Sequence, residues 1–408
     1  MAKVNKYEWV LGEELPILDN HSSVKLDIIE QYLEIYLKIL TQLHVMDNLK
    51  LTIVDGFAGG GLYRCGTTGS PLRIYETVKN TQIAINTERK YNNSKEIKFD
   101  IDMYFIEKSK NSFNFLQETM KERGYIKNLH LYNSKFEKSL NSIIQNIKQK
   151  SRSHKSIFIL DQYGYADASI PSIKKIFQNL KKVEVILTFS VDSLIDYISR
   201  TNPKVLLNMG LSKDDCERIF DIKEDNNFSR SKIQPLLYQM IVQQTGAKFY
   251  TPFFIKSDTS NRSYWLFHLS SHSKARDEMI KLHWNNQNTF QHFGKAGLNM
   301  MIGYDSNYKN NLFMFDDFAK DKSIKSLSEE LPKIIYEFDA VEFSKLKDKI
   351  INETPATVDM IKKSLAEQVY YKDIIIKSKK GTIRRKTNTI HDTDIIMKPT
   401  TKQSRMIF

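Results

Sequence analysis

Residues 51–61, Leu-Thr-Ile-Val-Asp-Gly-Phe-Ala-Gly-Gly-Gly, place a carboxylate and four glycines at the end of a short apolar run. A continuous run such as Leu51 to Val54 that stops at a turn is the pattern of a strand buried on both faces. Glycines let the chain turn sharply and let a ligand approach the backbone, because no Cβ intervenes. Asp55, at the strand's end, can accept hydrogen bonds from a ligand's amine or hydroxyl groups. A phosphate loop would need Gly-Lys-Ser/Thr after the glycines, and Leu62-Tyr63-Arg64 stands there instead. Gly56, Gly59, Gly60 and Gly61 also miss the G-x-G-x-x-G spacing of a dinucleotide site. An acid ahead of the glycines suits a ligand with a positive amine and ribose hydroxyls, such as S-adenosylmethionine. The plain alternative is a tight strand-to-helix turn that binds nothing.

Three further corners carry chemistry at strand ends. Ile101 to Glu107 reads as a strand ending in an acid, the usual partner of ribose hydroxyls. Leu129 to Tyr132 runs into Asn133-Ser134-Lys135-Phe136. There Asn133 or Ser134 would bond an adenine edge and Phe136 would pack on the ring, unless the segment is only a helix cap. Ser156 to Leu160 delivers Asp161-Gln162-Tyr163-Gly164. An acid, an amide, an aromatic ring and a glycine at the carboxyl end of a central strand stand where open sheets meet their ligands. Asp161 would accept from an amino group, and Tyr163 would stack on a flat substrate or a sulfonium. A turn with a packed tyrosine is the other reading.

These corners need a scaffold. Val24, Ile28, Ile29, Tyr32, Leu33, Tyr36, Leu37 and Leu40 recur at helical spacing and predict a helix over 22–46, with His21 just before it and Lys25 one turn in. Ser70 with Pro71 predicts a capped helix over 71–88. Helices follow at 109–122, 136–149 and 168–180, and a fifth strand at 183–190. Five alternating strand–helix units predict an α/β, Rossmann-like, mostly parallel sheet. Residues 195–247 read as a helical insertion, 249–256 and 263–269 as an antiparallel hairpin closing the sheet edge, and 273–288 as a helix. The first domain therefore spans 1–290, and 291–330 reads as an irregular connector.

From 331 the character changes. Helices over 339–353 and 356–368, a strand over 369–376, a turn at Lys379-Lys380-Gly381 and a return strand over 382–385 are the parts of a winged helix. Residues 370–408 hold ten Lys/Arg against three acids. Lys379, Lys380, Arg384, Arg385 and Lys386 are placed to meet nucleic-acid phosphates. A wing that is merely solvated, on a domain that docks on protein, is the alternative.

Composition sets the class. The 408 residues are 41% hydrophobic with a formal net charge of +13, which suits a globular protein with an acidic partner. Cys65 and Cys216 are the two cysteines, too few for a zinc site or a disulfide framework, and no metal site is read. The N-terminus lacks an apolar signal core and no apolar run reaches transmembrane length, so a cytoplasmic protein with no membrane contact is the simplest expectation.

His21 and Lys25 ahead of a helix, Asp55-Gly56-Phe57-Ala58-Gly59, Gly69-Ser70-Pro71, Phe105-Ile106-Glu107-Lys108, Ile159 to Gly164, and Tyr264 to Trp284 together resemble the three-Cys-motif partner protein family. The resemblance spans most of residues 15–290 and also fits the C-terminal part. It implies a class I, S-adenosylmethionine-dependent methyltransferase fold and a separate partner chain carrying three cysteines, similar to radical enzymes with an iron–sulfur cluster. On this reading Asp55, Gly56, Phe57, Ala58, Gly59 and Gly61 hold the methionine moiety and Glu107 with Lys108 the ribose side. Ser134, Lys135 and Phe136 flank the adenine, and Asp161, Gln162, Tyr163 and Gly164 line the reacting centre. His21, Lys25 and Ser70 stand at the substrate mouth. One departure bears on activity: the family has a proline where this chain has Gln162, and amino-group methyltransferases carry Asp/Asn-Pro-Pro-Tyr there. Three functions follow: a methyltransferase acting on nucleic acid, a catalytically silent scaffold of the same fold, and a sensor of another adenine ligand.

Overall fold

The computed structural model describes residues 7–399 except 44–45, 65, 126, 152–153, 163–166, 226–229, 257–262, 287–289, 293–295, 299 and 301–312; for some others, His21 among them, it describes the backbone alone. The chain divides into two units, residues 1–282 and 283–408.

The first unit is a Rossmann-like α/β domain with the class I methyltransferase fold. Its strands are β1 (Asn48–Asp55), β2 (Lys98–Glu107), β3 (Leu129–Asn133), β4 (Lys155–Asp161), β5 (Lys182–Ser190), β6 (Phe249–Lys256) and β7 (Ser263–Ser270). They lie in the order β3-β2-β1-β4-β5-β7-β6. β1 to β5 run parallel, and β7 runs antiparallel to both β5 and β6. The interior strands are apolar on both faces: Leu51, Ile53, Val54, Ile157, Phe158, Ile159 and Leu160 are all fully buried. The strand order reverses between β1 and β4, so Asp55 and Asp161 end the two strands that flank the switch point, where such sheets open a crevice.

Helices α1 (Asn20–Leu40), α2 (Ser70–Tyr91), α3 (Lys110–Glu122), α4 (Phe136–Lys150) and α5 (Ile170–Asn179) alternate with these strands. The insertion is four helices, α6 (Val191–Tyr197), α7 (Lys204–Met209), α8 (Lys213–Glu224) and α9 (Arg230–Thr245); α10 (Ser273–Asn285) follows β7. The first helix ends at Leu40, not at residue 46. Arg89, 2% exposed, ties down the chain beyond it: its guanidinium donates to the carbonyls of Thr41, Leu43 and Met46. Ser70 is not a cap either. Gly69 holds the N-cap position, and the Ser70 hydroxyl is used elsewhere.

The second unit is a winged helix. It contains the short pair β8 (Phe290–His292) and β9 (Phe313–Met314), then α11 (Asp317–Tyr336), β10 (Ala340–Glu342), α12 (Phe343–Ile350), α13 (Val358–Tyr370), β11 (Ile375–Lys377) and β12 (Ile395–Met397). The last three strands form an antiparallel sheet in the order β10-β12-β11. Three expectations fail here. The strand over 369–376 shrinks to Ile375–Lys377, because α13 runs on through Tyr370. The connector over 291–330 contains most of α11, whose buried Ile324, Leu327, Leu331 and Ile335 keep helical spacing within a polar stretch. Asp316 caps it by accepting from the Ala319 N–H at 2.7 Å. The return strand is not Thr382 to Arg385, which makes a single bridge, Lys377 to Ile383. It is Ile395 to Met397, because Ile396, fully buried, fills the core that the exposed, charged 382–385 segment cannot.

Candidate functional site

The glycine turn is stitched across the switch point. The Gly56 N–H donates to the Ile159 carbonyl of β4 at 2.9 Å, and the Ala58 N–H to the Ile106 carbonyl of β2 at 3.0 Å. The space is tight: a Cβ on Gly56 would lie 2.7 Å from Leu160 Cδ2 and 3.0 Å from Phe136 Cδ2. Gly59 and Gly61 adopt φ of 62° and 85°, which only glycine takes without strain. Above this turn lies a cavity of about 460 Å³, within the size range of small-molecule sites.

Glu107 reaches that cavity with both carboxylate oxygens held by backbone N–H groups. Its Oε2 accepts from the Gly59 N–H at 2.9 Å and its Oε1 from the Ser109 N–H at 2.6 Å. Burial pushes its pKa up, against the pull of those two N–H groups and of Lys108. Lys108 lines the same cavity and pairs with Asp167 at 3.2 Å. Asp55 sits lower, 1% exposed. Its Oδ2 accepts from the Ser70 hydroxyl at 2.6 Å and its Oδ1 from the Phe57 N–H at 3.0 Å. Its pKa is pushed up to about 7, chiefly by burial and further by the charges of Asp161 and Glu107, while the bonds from Ser70 and Phe57 oppose the rise. Asp55 therefore shapes the turn and the start of α2 from beneath the cavity.

At the far wall, Lys25 of α1 donates to Asp161 Oδ1 at 2.6 Å, with both side chains largely buried. The Thr188 hydroxyl of β5 donates to the same oxygen. Gln162, 3% exposed, spends its amide oxygen on the N–H groups of Asp167 and Ala168, at 2.9 and 3.1 Å, and so caps the loop into α5. Tyr163 and Gly164 lie outside the described residues, as does the side chain of His21. The third corner is brought to the same cavity. Phe136 packs against Phe57 with ring centroids 5.9 Å apart, and Ser134 and Lys135 line the wall. The Ser134 hydroxyl donates to the Lys135 carbonyl and accepts from Ser139.

The structure thus gathers Gly56, Phe57, Ala58, Gly59, Glu107, Lys108, Ser134, Lys135, Phe136, Lys25, Ser70, Asp161 and Gln162 on one cavity, with Asp55 beneath it; Gly61 does not face it. Sequence reasoning missed Tyr7, Trp9 and Tyr63, which also line it. The one local signal was Tyr63, an aromatic residue just after the glycines; Tyr7 and Trp9 lie far from them in the sequence.

In the second unit, Lys379, Lys380, Arg385 and Lys386 are exposed. Arg384 differs: its Nε donates to Asp394 at 3.2 Å, and Asp394 is 1% exposed and also accepts from the His391 N–H at 2.8 Å. Arg384 is a strut of the wing. A wider groove of about 1140 Å³ between α11 and α13 is lined by charges of both signs and gathers none of the residues marked from sequence. No described helix is long and apolar enough to cross a membrane.

Residues 303–381 match the GMT-like wHTH domain family. No curated protein matches the chain. Solved structures that resemble it include a Legionella pneumophila protein of family DUF519 (9% identity, 65% of this chain and 90% of that one, TM-score 0.36). A candidate rRNA methylase from Clostridium thermocellum shares 6% identity over 62% of this chain and 98% of its own, with a TM-score of 0.31. A candidate methyltransferase from Streptococcus mutans, in complex with SAH, shares 11% identity over 62% and 99%, with a TM-score of 0.27. Likenesses this distant carry no argument about ligand or reaction; the chain is a methyltransferase-fold protein on its strand order, with a winged helix at its C-terminal side.

Proposed function

We propose that the first unit binds S-adenosylmethionine on the cavity above the glycine turn, and that the protein is a methyltransferase acting on or with nucleic acid. The observation that supports this most is the setting of Glu107. Two backbone N–H groups fix its carboxylate at the end of β2, and a carboxylate offers about four acceptor positions, so two stay open for a pair of ribose hydroxyls. The donor set fits the rest of the ligand. Phe57 and Phe136 offer apolar faces to an adenine ring. The cavity wall carries Glu107, Glu137, Asp161 and Asp167 beside Lys25, Lys108, Lys135 and Lys138, so it offers both signs of charge, as a ligand with an amine, a carboxylate and a sulfonium needs. Bound there, the cofactor supplies a methyl group on a sulfonium, already activated for attack. The protein's work is then orientation and exclusion of water: Glu107 fixes the ribose, and Asp161, held by Lys25 and Thr188, faces the approach of the acceptor. A base acceptor would have to be unpaired or flipped out of its stack.

The winged helix is read as the nucleic-acid grip, with Lys379, Lys380, Arg385 and Lys386 on phosphates. The match over 303–381 and the exposure of those side chains support this reading. A separate three-cysteine chain as partner rests on the family resemblance alone. Gln162 favours a second reading. Its amide oxygen is committed to holding a loop, in keeping with a catalytically silent scaffold of the same fold.

Titration calorimetry of the full chain with S-adenosylmethionine and S-adenosylhomocysteine tests the proposal. Saturable binding is expected. Glu107→Gln should weaken it about 10- to 100-fold, the range for losing a charge-assisted hydrogen bond. A folded chain that binds neither ligand would overturn the cofactor assignment and leave the scaffold.

A further inference from the structure

The roles above make no use of the N-terminal arm, residues 7–19, although it presses on the glycine turn. The Trp9 ring, 5% exposed, lies directly on the glycines. A Cβ on Gly60 would stand 2.2 Å from Trp9 Cγ, and one on Gly59 3.0 Å from its Cη2. The indole N–H donates to the Leu62 carbonyl, and the ring packs edge-on against Tyr63 at 5.4 Å. The arm is tied down on either side of Trp9. Arg64 donates its N–H to the Pro16 carbonyl at 3.0 Å and pairs with Glu14 at 2.9 Å. Tyr7 packs edge-on against Tyr63 with ring centroids 6.1 Å apart. The arm also reaches α3: the Trp9 N–H donates to Ser112 Oγ at 3.4 Å, and Asn111 donates to Glu8 at 3.3 Å.

Two of the segments the arm touches hold Glu107. One N–H comes from Gly59, under the Trp9 ring. The other comes from Ser109, which caps α3 one turn before Ser112. We propose that Trp9 is a positioning residue that clamps the glycine turn and the start of α3 together, and so aims the Glu107 carboxylate at the two ribose hydroxyls of an adenosine ligand. This deepens the cofactor reading and rests on it. It also assigns a reason to Gly60, where the ring leaves no room for a side chain.

The test uses the full chain with Trp9→Ala and Trp9→Phe. Without ligand, amide hydrogen exchange is followed over residues 55–62. Trp9→Ala should exchange at least tenfold faster there, and Trp9→Phe close to the unaltered chain. With ligand, affinities for S-adenosylhomocysteine and its 2′-deoxy analogue are compared. Trp9→Ala should lose about tenfold or more on the ribose form and much less on the deoxy form, so that the preference between them collapses; Trp9→Phe should keep it. Unchanged exchange in Trp9→Ala, or equal losses on both ligands, would overturn the proposal. If Trp9→Ala does not fold, Gly60→Ala displaces the ring from the other side and answers the same two measurements. If the unaltered chain binds no S-adenosylhomocysteine, the cofactor reading and the ribose role fall together, and the exchange measurement still decides the clamp.

Discussion

The glycine-turn cavity and the wing are both marked by charged residues, but they hold their charges in opposite ways. Around the cavity three carboxylates are fixed from inside: Asp55 by Ser70 and Phe57, Glu107 by Gly59 and Ser109, Asp161 by Lys25 and Thr188. On the wing four of the five marked cations face solvent, and one, Arg384, is tied to a buried acid. Pre-set charge suits a small ligand that must be held in one pose. Exposed charge suits a polyanion whose phosphates are equivalent along its length. Mutations should therefore cost folding energy in the first region and salt-dependent affinity in the second.

The sharpest break in that contrast is Lys25→Ala. It strips the ammonium from Asp161, whose side chain is 17% exposed. Removing one member of a buried pair costs about 3–5 kcal/mol, and urea denaturation should show a loss of that order. Lys25→Met with Asp161→Leu should recover much of it, since replacing both partners avoids the stranded charge. A loss under about 0.5 kcal/mol for Lys25→Ala would place the pair with ordinary surface bridges.

Next in size is the pH dependence set by Asp55. Its ordinary pKa of 3.8 rises to about 7 in the fold, mainly through burial. The folded state then holds a proton that the unfolded chain has released, so this group's contribution is full below pH 3.8, falls as pH rises through that window and is gone above about 7. Asp55→Asn should flatten the fall: the urea midpoint of the unaltered chain should drop relative to the variant between pH 5 and 7. Parallel curves for the two chains would show that Asp55 is ionised throughout. A cationic ligand would favour the ionised form, so its affinity should rise over the same window.

Arg384 and Arg385 test the contrast within the wing. Arg384→Ala leaves Asp394 buried with a bond from His391 alone, and should destabilise the second unit by about 1–3 kcal/mol. Arg385→Ala should change stability by less than about 0.5 kcal/mol. Equal effects on thermal unfolding would erase the distinction between a strut and a phosphate-binding side chain.

The sequence made these two regions legible to different depths. In the first unit, the apolar runs ending in Asp55, Glu107 and Asp161 located three strand ends, and chain order located the sheet, because each signal is local. Trp9 over Gly60 escaped notice because fifty residues separate the partners and only the folded chain brings ring and glycine together. Lys25 with Asp161 is a pairing of the same kind. In the second unit the bias of charge was plain and the topology was not. The Asn, Asp and Lys of 291–330 mask α11, whose apolar stripe is narrow. The lysine–glycine turn suggested a tight hairpin, but burial of Ile396 makes β12 the partner of β11.

The smallest expected effect on folding is at the wing tip, and it is also the clearest on binding. Lys379→Ala with Lys380→Ala removes two exposed ammonium groups, so unfolding by urea should shift by no more than about 0.5 kcal/mol. If both meet phosphates, binding to a DNA or RNA duplex should weaken for every sequence alike. The slope of log affinity against log salt should become shallower by about 0.9 for each phosphate of B-DNA that is no longer neutralised. Arg384→Ala, by contrast, should lower affinity only as far as the wing loses its shape, with the slope kept. An unaltered slope for the double variant would move these lysines out of the interface, and the exposed face of α13, with Lys363 and Tyr370, would become the surface to alter next.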